Sequence, residues 1–495
     1  MPIAPPRLGS PLAMAILGAL ILAGIGQHYR IDQTRCENWP ALLPNLSAAG
    51  LYAVAVTLLS LAWLRWLRLC QRADGPGTGG VLASAAVVYL IAGLGPPTLS
   101  DDPLFYAAIG RVVRDGHSAA DPLCQTLPTD DALLRLMIPH WRCGNSAYLS
   151  GFHAIAAGVA TLAKNDLIRH LRGHQLLAGL AMLGAGGLTA LALRGSALRP
   201  AYGAALVALN PLSVIEAPFS AHNDALIALA TAGLVLSYSR RHLGGAVLSQ
   251  LAALSIKASA LLLALFLPAV YVLRWLLPLV QRWRSRARTP LLLLAALAAL
   301  GFTGALLVHS RPVALFGLSH LPWEHCTRSL ECLPRSILRS LLHKTEAATY
   351  VAVAFRLLSV AWLFYATLRA ARSPAQSLAW MGTGLLIYYL YLHPWSQSWY
   401  LLSLLPLFPF LPPRPKRALR SLSIAAASYY ALLFIGNCLQ DDLAIATIDL
   451  IEGLIVMVPP TVCLLRTAPA QPSPSAPGLS TDSASVSPSA PFPPR

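Results

Sequence analysis

Charged residues are scarce in this sequence. Asp, Glu, Lys and Arg make up only 12% of its 495 residues, whereas soluble domains contain about 25%. This scarcity excludes a large soluble core with a solvated surface. A hydrophobic fraction of 56% and a mean hydropathy of +0.58 indicate that much of the surface faces lipid instead.

Acidic residues are the scarcer of the two charge types, with 20 Asp and Glu against 37 Lys and Arg. A basic excess indicates nucleic-acid binding when the basic residues form a patch interleaved with aromatic side chains. Here they lie in short clusters between apolar runs. We therefore expect a lipid bilayer as partner and no nucleic acid.

Apolar runs of about 20 residues, enough to cross a bilayer, recur along the chain. They predict an all-α fold, a polytopic transmembrane helical bundle of about 12–14 spans, with a long first external loop that carries interfacial helices. The predicted spans lie near 11–26, 46–64, 81–98, 174–193, 200–217, 225–239, 243–257, 259–277, 290–309, 350–368, 376–392, 400–412, 419–436 and 444–464.

The orientation of these spans follows from the tendency of short loops rich in Lys and Arg to stay in the cytoplasm. With the arginine clusters inside, the segment from Ser100 to about Asn145 and the segment 221–224 both lie outside. The apolar segment 148–163 would invert every later loop if it crossed the membrane. We therefore predict an interfacial or re-entrant helix there.

This topology divides the chain into three parts. The first apolar run has no convincing cleavage site before Gln27, so we expect a retained signal anchor. A tail rich in Pro and Ser cannot bury a core and is expected to be disordered and cytoplasmic. The predicted ranges are 1–80 for anchor helices, 81–465 for the main transmembrane module with external loops 100–172 and 310–349, and 466–495 for the tail.

Six of the eight cysteines fall in predicted external loops, where disulfides form: Cys36, Cys124, Cys143, Cys326, Cys332 and Cys438. The pairs Cys326–Cys332 and Cys124–Cys143 are close in sequence and are the predicted disulfides. Six cysteines allow fifteen pairings, and a pair of Cys36 with Cys438 is only what remains after the two local pairs. The alternative is that the cysteines are free thiols. Cys70 and Cys463 lie near the inner face.

Two adjacent carboxylates, Asp101 and Asp102, emerge at the outer membrane surface directly after the third predicted span. A carboxylate held there can remove a proton from a sugar hydroxyl or bind a divalent cation. The alternative is structural, because Ser-Asp-Asp-Pro is also a good start for an interfacial helix that runs through Arg114.

Three further places carry polar groups at the membrane surface, where such groups are costly and often functional: Asn210-Pro211 with Ala221-His222-Asn223-Asp224, Lys257, and His393 to Tyr400. The first is also typical of a polar turn between spans. Lys257 needs an anionic partner or must lose its proton, and it can bind a phosphate or extend to the interface. The third also fits an aromatic belt.

The order of these elements resembles the GT-C superfamily of integral membrane glycosyltransferases, in particular the bacterial branch that uses polyprenyl-phosphate mannose or related hexoses. That branch has a first loop of the form Asp-x-x-x-Tyr-x-Trp-Asp-Gly-Arg, and Asp102, Tyr106, Gly110 and Arg111 match it. Its later Asn-Pro, Gly-His-Asn-Asp, lysine and Pro-Trp-Tyr elements are similar to the three places above. The resemblance covers about residues 95–410.

The resemblance implies transfer of a hexose, with mannose expected, from a polyprenyl-phosphate donor to a glycan, glycolipid or protein acceptor. The active face would be the extracytoplasmic side of the inner or plasma membrane. Asp101 or Asp102 would act as general base in an inverting displacement. The residues expected to bind the donor phosphate or sugar are Tyr106, Arg111, His222, Asn223, Asp224, Lys257, His393, Trp395, Trp399 and Tyr400.

The sequence also departs from the pattern of this branch. Ala108-Ile109 stands where the branch has Trp-Asp, and its Tyr-Pro-Pro element is reduced to Tyr148-Leu149-Ser150, which leaves the acceptor open. Metal dependence varies within the superfamily, so no metal site is assigned, and Mg or Mn stays an open alternative.

Two other functions fit a chain with many spans. A lipid or lipid-linked sugar transporter would have charges near the bilayer midplane and often inverted repeats. The sequence has no clear repeat, and its polar groups gather at one face. A noncatalytic partner in a cell-envelope complex would tolerate replacement of both Asp101 and Asp102.

Overall fold

The computed structural model describes residues 9–28, 39–260, 330–336, 345–373, 376–393, 397–436 and 442–466, except Ile138 and Asn145, together with positions 262, 270, 273 and 338. Within these ranges the regular secondary structure is helical and contains no β-strand, which confirms the all-α fold. The predicted spans 259–277 and 290–309 fall almost entirely outside the described residues. The same holds for most of the loop 310–349 and for the tail.

The described part of the first half of the chain contains thirteen α-helices. Their bounds are α1 Gly9–His28, α2 Trp39–Gln71, α3 Thr78–Ala92, α4 Asp102–Arg114, α5 Leu123–Thr126, α6 Ala132–Leu136, α7 Pro139–Arg142, α8 Ser150–Ala163, α9 Leu167–Ala192, α10 Pro200–Ala208, α11 Pro211–Val214, α12 Asp224–Ser239 and α13 Leu243–Ile256. A π-helical turn, Ile215–Phe219, follows α11, and a 3₁₀ turn, Ala258–Ala260, comes shortly after α13.

The described second half is also helical. Its α-helices are Cys332–Ser336, Thr345–Arg372, Ser377–Ile387, Pro413–Ser428, Tyr430–Gly436 and Asp442–Leu465. A π-helical turn covers Tyr388–Leu392. The segment Ser398–Phe410 is a 3₁₀ helix of 13 residues, much longer than is usual for this helix type. Pro406 and Pro409 lie inside it, and each removes a backbone hydrogen-bond donor.

Four described helices are long and apolar enough to cross a membrane: Gly9–His28, Leu43–Gln71, Leu167–Ala192 and Glu346–Arg372. A fifth candidate is the pair Pro200–Ala208 and Pro211–Phe219, bent by 52°. The bend follows from Pro211, which cannot donate a backbone hydrogen bond. The total of about 12–14 spans stays a prediction, as does the domain boundary at residue 80.

Helix α8 covers the segment that decides the topology. It has 14 residues, which span about 21 Å, whereas the hydrocarbon core is about 30 Å thick. The chain then turns at Lys164, which has a φ of 57°, and α9 begins at Leu167, earlier than the expected position near 174. Helix α13, predicted as a span, also has 14 residues, so the interfacial or re-entrant placement of α8 stays a prediction.

The end of α3 is fastened to α9 immediately before the Asp101-Asp102 pair. The Arg172 guanidinium donates hydrogen bonds to the backbone carbonyls of Gly93, Leu94 and Gly95. The Gln175 amide donates to the Gly95 carbonyl at 2.9 Å. These carbonyls belong to the C-cap residue of α3 and the two residues that follow it, so the contacts fix the path of the chain where it leaves the helix.

Candidate active site

Asp101 and Asp102 lie at the N-terminus of α4. The helix runs from Asp102 to Arg114 with Pro103 in its first turn, which confirms the predicted helix after this pair. The Asp101 side chain forms no cap hydrogen bond, and the Ser100 hydroxyl instead accepts one from the Asp102 N–H at 3.1 Å. The Asp101 side chain therefore does not cap α4, and Asp102 lies in the first turn, at the positive end of the helix dipole.

Tyr106 connects Asp102 to the turn that contains His222 and Asn223. Its hydroxyl donates to Asp102 Oδ2 at 3.2 Å and accepts from the Asn223 N–H at 3.4 Å. Burial raises the pKa of this hydroxyl well above its ordinary range, and the charge of Asp102 raises it further. Tyr106 consequently stays protonated and acts as a hydrogen-bond donor to the carboxylate.

The turn from Ala221 to Asp224 brings three polar side chains to the same place. Ala221 has a φ of 60°, a conformation that favours glycine, and the resemblance has glycine here. His222 and Asn223 are buried. Among the described residues, neither the oxygen nor the nitrogen of the Asn223 amide has a hydrogen-bond partner. A buried amide left free in this way is available to a bound ligand.

Lys257 has the anionic partner that the sequence required. Its Nζ lies 3.0 Å from Asp224 Oδ2, and it also lies over the rings of Tyr400 at 4.5 Å and Tyr148 at 5.7 Å. Its backbone is extended, with φ −155° and ψ 140°, and it forms an isolated antiparallel bridge with Tyr148. The lysine therefore occupies a helix break and not a position inside a continuous helix.

The aromatic segment after residue 396 closes the site. Trp399 stacks on His222 with ring centres 4.2 Å apart and an interplanar angle of 18°. Tyr400 contacts Lys257, and the His393 ring packs against Tyr400 at 5.3 Å. Trp395 lies outside the described residues. The aromatic segment thus contacts the His222 turn through Trp399 and contacts Lys257 through Tyr400.

Arg111, a predicted donor-binding residue, is paired with a carboxylate of the external loop. Its guanidinium forms two contacts with the Asp131 carboxylate, at 2.8 and 3.1 Å. Asp131 also caps α6 by accepting from the Leu133 N–H at 2.9 Å. Arg111 therefore ties α4 to the external loop, and its predicted part in donor binding stays a prediction.

The disulfide Cys124–Cys143 is present in the loop that follows α4. Cys332 is also disulfide-bonded, and its predicted partner Cys326 lies outside the described residues. Cys70 and Cys463 are free, as expected for the inner face.

Two residues of the site escaped the sequence analysis, Glu216 and Tyr430. Glu216 is completely buried, and its Oε2 lies 2.9 Å from His222 Nδ1. Tyr430 donates to the same oxygen at 3.1 Å. A single carboxylate inside an apolar run was a signal that could have found Glu216, because intramembrane acids usually have a specific partner.

No group of three or more His, Cys, Asp and Glu side chains in the described part of the chain is arranged to hold a metal ion. The described site instead combines one partly exposed carboxylate, Asp102, with buried hydrogen-bond donors, one ammonium group and stacked aromatic rings. These are groups that can accept a proton, hold a phosphate and bind a sugar face.

Comparison with known protein families shows the family to which the chain belongs. Neither the curated proteins nor the solved structures contain a match to it. A sequence model described as alpha-(1->6)-mannopyranosyltransferase, N-terminal domain, matches residues 9–274, which is more than half of the chain and includes Asp102, the turn at His222 and Lys257. The chain therefore belongs to the alpha-(1->6)-mannopyranosyltransferase family of membrane mannosyltransferases.

Proposed function

We propose that this protein transfers mannose from a polyprenyl-phosphate donor to a hydroxyl of a glycan, glycolipid or protein acceptor at the extracytoplasmic face of the inner or plasma membrane. The observation that carries the proposal is the meeting of Asp102, His222 and the Lys257–Asp224 pair at one place. A base for the acceptor, a cation for the phosphate and aromatic rings for the sugar are the groups this reaction needs.

We assign the general base to Asp102. Its side chain is 19% exposed, so it is open to an acceptor on one side, while Tyr106 orients it from the other. The carboxylate removes the proton of the acceptor hydroxyl as its oxygen bonds to the anomeric carbon. The bond from that carbon to the phosphate oxygen breaks, and the polyprenyl phosphate leaves with the electron pair. One direct displacement inverts the anomeric configuration.

The developing charge on the leaving phosphate needs a fixed cation or hydrogen-bond donors in a dry site. Lys257 supplies the ammonium group and is already desolvated, with 11% of its side chain exposed. The free amide of Asn223 is suited to sugar hydroxyls, and Trp399 and Tyr400 offer ring faces beside it. These roles follow from position and chemistry together.

The Cys124–Cys143 disulfide supports the extracytoplasmic side. It lies in the loop between α4 and α8, the segment that contributes Tyr148 to the site. Disulfides form and persist on the oxidising side of the membrane. A site built partly from this loop therefore faces the periplasm or the exterior.

The test is transfer of radiolabelled mannose by the purified protein in nanodiscs, with synthetic polyprenyl-phosphate mannose as donor and an α-linked oligomannoside as acceptor. Nucleotide-activated mannose and polyprenyl-phosphate glucose or arabinose serve as matched donors. We expect label in an extended oligomannoside with the lipid-phosphate mannose alone. Transfer from the nucleotide donor would overturn the donor assignment, and lipid movement without any transfer would favour a flippase.

A further inference from the structure

Glu216 lies in the π-helical turn that leads into the His222 turn. This turn covers Ile215–Phe219 and contains Pro218. Such turns insert an extra residue into a helix and occur frequently at functional sites. Glu216 has no exposed surface, so its carboxylate is completely removed from water.

Two donors face this carboxylate. Tyr430 donates to Oε2 at 3.1 Å, and His222 Nδ1 lies 2.9 Å from the same oxygen, although not aligned for a hydrogen bond. Among the described residues, Oε1 has no hydrogen-bond partner, and His222 is the cation-forming side chain paired with Glu216. Glu216 Oε2 is therefore an acceptor beside Nδ1, and its position favours a proton on that nitrogen.

The opposite nitrogen of the same ring faces the proposed base. His222 Nε2 lies 3.9 Å from Asp102 Oδ2, and stacking on Trp399 fixes the plane of the ring. With the proton on Nδ1, both Nε2 and an ionised Asp102 present lone pairs to each other. A spacing longer than a hydrogen bond is expected until one of them gains a proton, and catalytic contacts often shorten when substrate binds.

We propose that Glu216 is a positioning residue that holds the proton on His222 Nδ1, so that Nε2 can take the acceptor's proton from Asp102. This inference rests on the proposed function. The proton moves from the acceptor hydroxyl to Asp102 and then to His222 Nε2, and Asp102 returns to its ionised form. The imidazolium that results is stabilised by Glu216, as a buried carboxylate stabilises the histidine of a hydrolase triad.

The titratable groups described beside the Glu216–His222 pair are tyrosines and one carboxylate. Tyr430 contacts Glu216 directly, and Tyr52 and Tyr429 are the further hydroxyls near it. On the His222 side the titratable group is Asp102, with Tyr106 behind it. The tyrosines remain neutral at ordinary pH, so a change at Glu216 should act mainly through His222.

The test compares Glu216→Gln with Tyr430→Phe, which removes a hydrogen bond to the same carboxylate but keeps its charge. We expect Glu216→Gln to lower kcat by about 100-fold or more with a donor KM within about 3-fold of wild type. Tyr430→Phe should lower kcat by less than about 10-fold. A Glu216→Gln variant with wild-type kcat and an unchanged pH profile would overturn the proposal.

A second readout does not depend on transfer. Nitrogen NMR of the ¹⁵N-histidine-labelled protein, with the His222 signals assigned by their loss in His222→Asn, should show the Nδ1-protonated form in wild type. In Glu216→Gln we expect a mixed tautomer, because the carboxylate acceptor beside Nδ1 is replaced by an amide. An unchanged His222 tautomer would contradict the role of Glu216.

These readouts separate two kinds of failure. If wild type transfers no mannose, the proposed function fails, and the NMR comparison still decides whether Glu216 controls His222. If Glu216→Gln does not fold, Glu216→Asp takes its place, because it keeps the charge but withdraws it from His222. An intermediate loss of kcat is expected there, and full activity with a displaced carboxylate would refute the positioning role.

Discussion

Replacing Lys257 with methionine measures how strongly the ion pair with Asp224 holds the site together. The two side chains are 11% and 2% exposed, and their charged atoms are 3.0 Å apart. Removing one member of a buried pair typically costs about 3–5 kcal/mol, since the other charge stays buried without compensation. We expect Lys257→Met to destabilise the protein by about this amount.

A double-mutant cycle separates the pair from its surroundings. Asp224→Asn removes the opposite charge, and the double variant buries no charge at this position, so it should recover much of the lost stability. If each single change costs about 3–5 kcal/mol and the double change costs no more than one of them, the coupling energy is about 3–5 kcal/mol, measured by equilibrium unfolding in mixed detergent micelles. Additive single losses, within about 0.5 kcal/mol, would refute the ion pair. The double variant should still lack transfer, because it has no cation for the phosphate.

Three further changes test how the site is supported. Loss of the Cys124–Cys143 disulfide by a double Cys→Ser change should raise the protease sensitivity of the loop and destabilise it by about 3 kcal/mol, the chain-entropy value for a loop of this length. Arg172→Met should lower the free energy of unfolding by about 1.5–3 kcal/mol by releasing three carbonyls at the end of α3. Gly110→Ala should cost about 1–3 kcal/mol, because its new Cβ would lie 2.4 Å from the Ala156 carbonyl oxygen.

Neighbouring residues provide matched controls for two of these changes. Gly158 lies in α8 with open space around the position of a Cβ, so Gly158→Ala should stabilise the helix by about 0.5–1 kcal/mol. The side chain of Arg169 is 69% exposed and pairs with Asp166 at the surface, so Arg169→Met should change stability by less than about 1 kcal/mol. Equal effects for Gly158 and Gly110, or for Arg169 and Arg172, would contradict the packing described.

The helical fold could be predicted because apolar runs of membrane length leave a chain few alternatives. A helix at α8 could be predicted from its apolar sequence, and its interfacial placement stays a prediction. The span predicted at 243–257 ends where α13 gives way to Lys257. The pairing of Lys257 with Tyr148 could not be predicted, because it is a contact between segments more than 100 residues apart.

The residues of the candidate site also fall into those that the sequence predicted and those that it did not. Asp102, His222 and Lys257 were found because each is a costly polar group at the membrane surface and each matches a family element. Their direct partners Tyr106 and Asp224 matched as well. Glu216 was missed because it lies outside every matched motif, and only the fold brings its carboxylate beside His222. Arg111 matched a motif, yet in the structure it is paired with Asp131.

The most direct test of the account is single-turnover mannose transfer by Asp102→Asn, compared with Asp101→Asn and wild type, with donor affinity and unfolding temperature measured for each. The account predicts that Asp102→Asn loses about 10²–10⁴-fold in rate while donor affinity and stability change little, and that Asp101→Asn loses less than about 10-fold. A wild-type rate for a folded Asp102→Asn variant would contradict the assignment of the base.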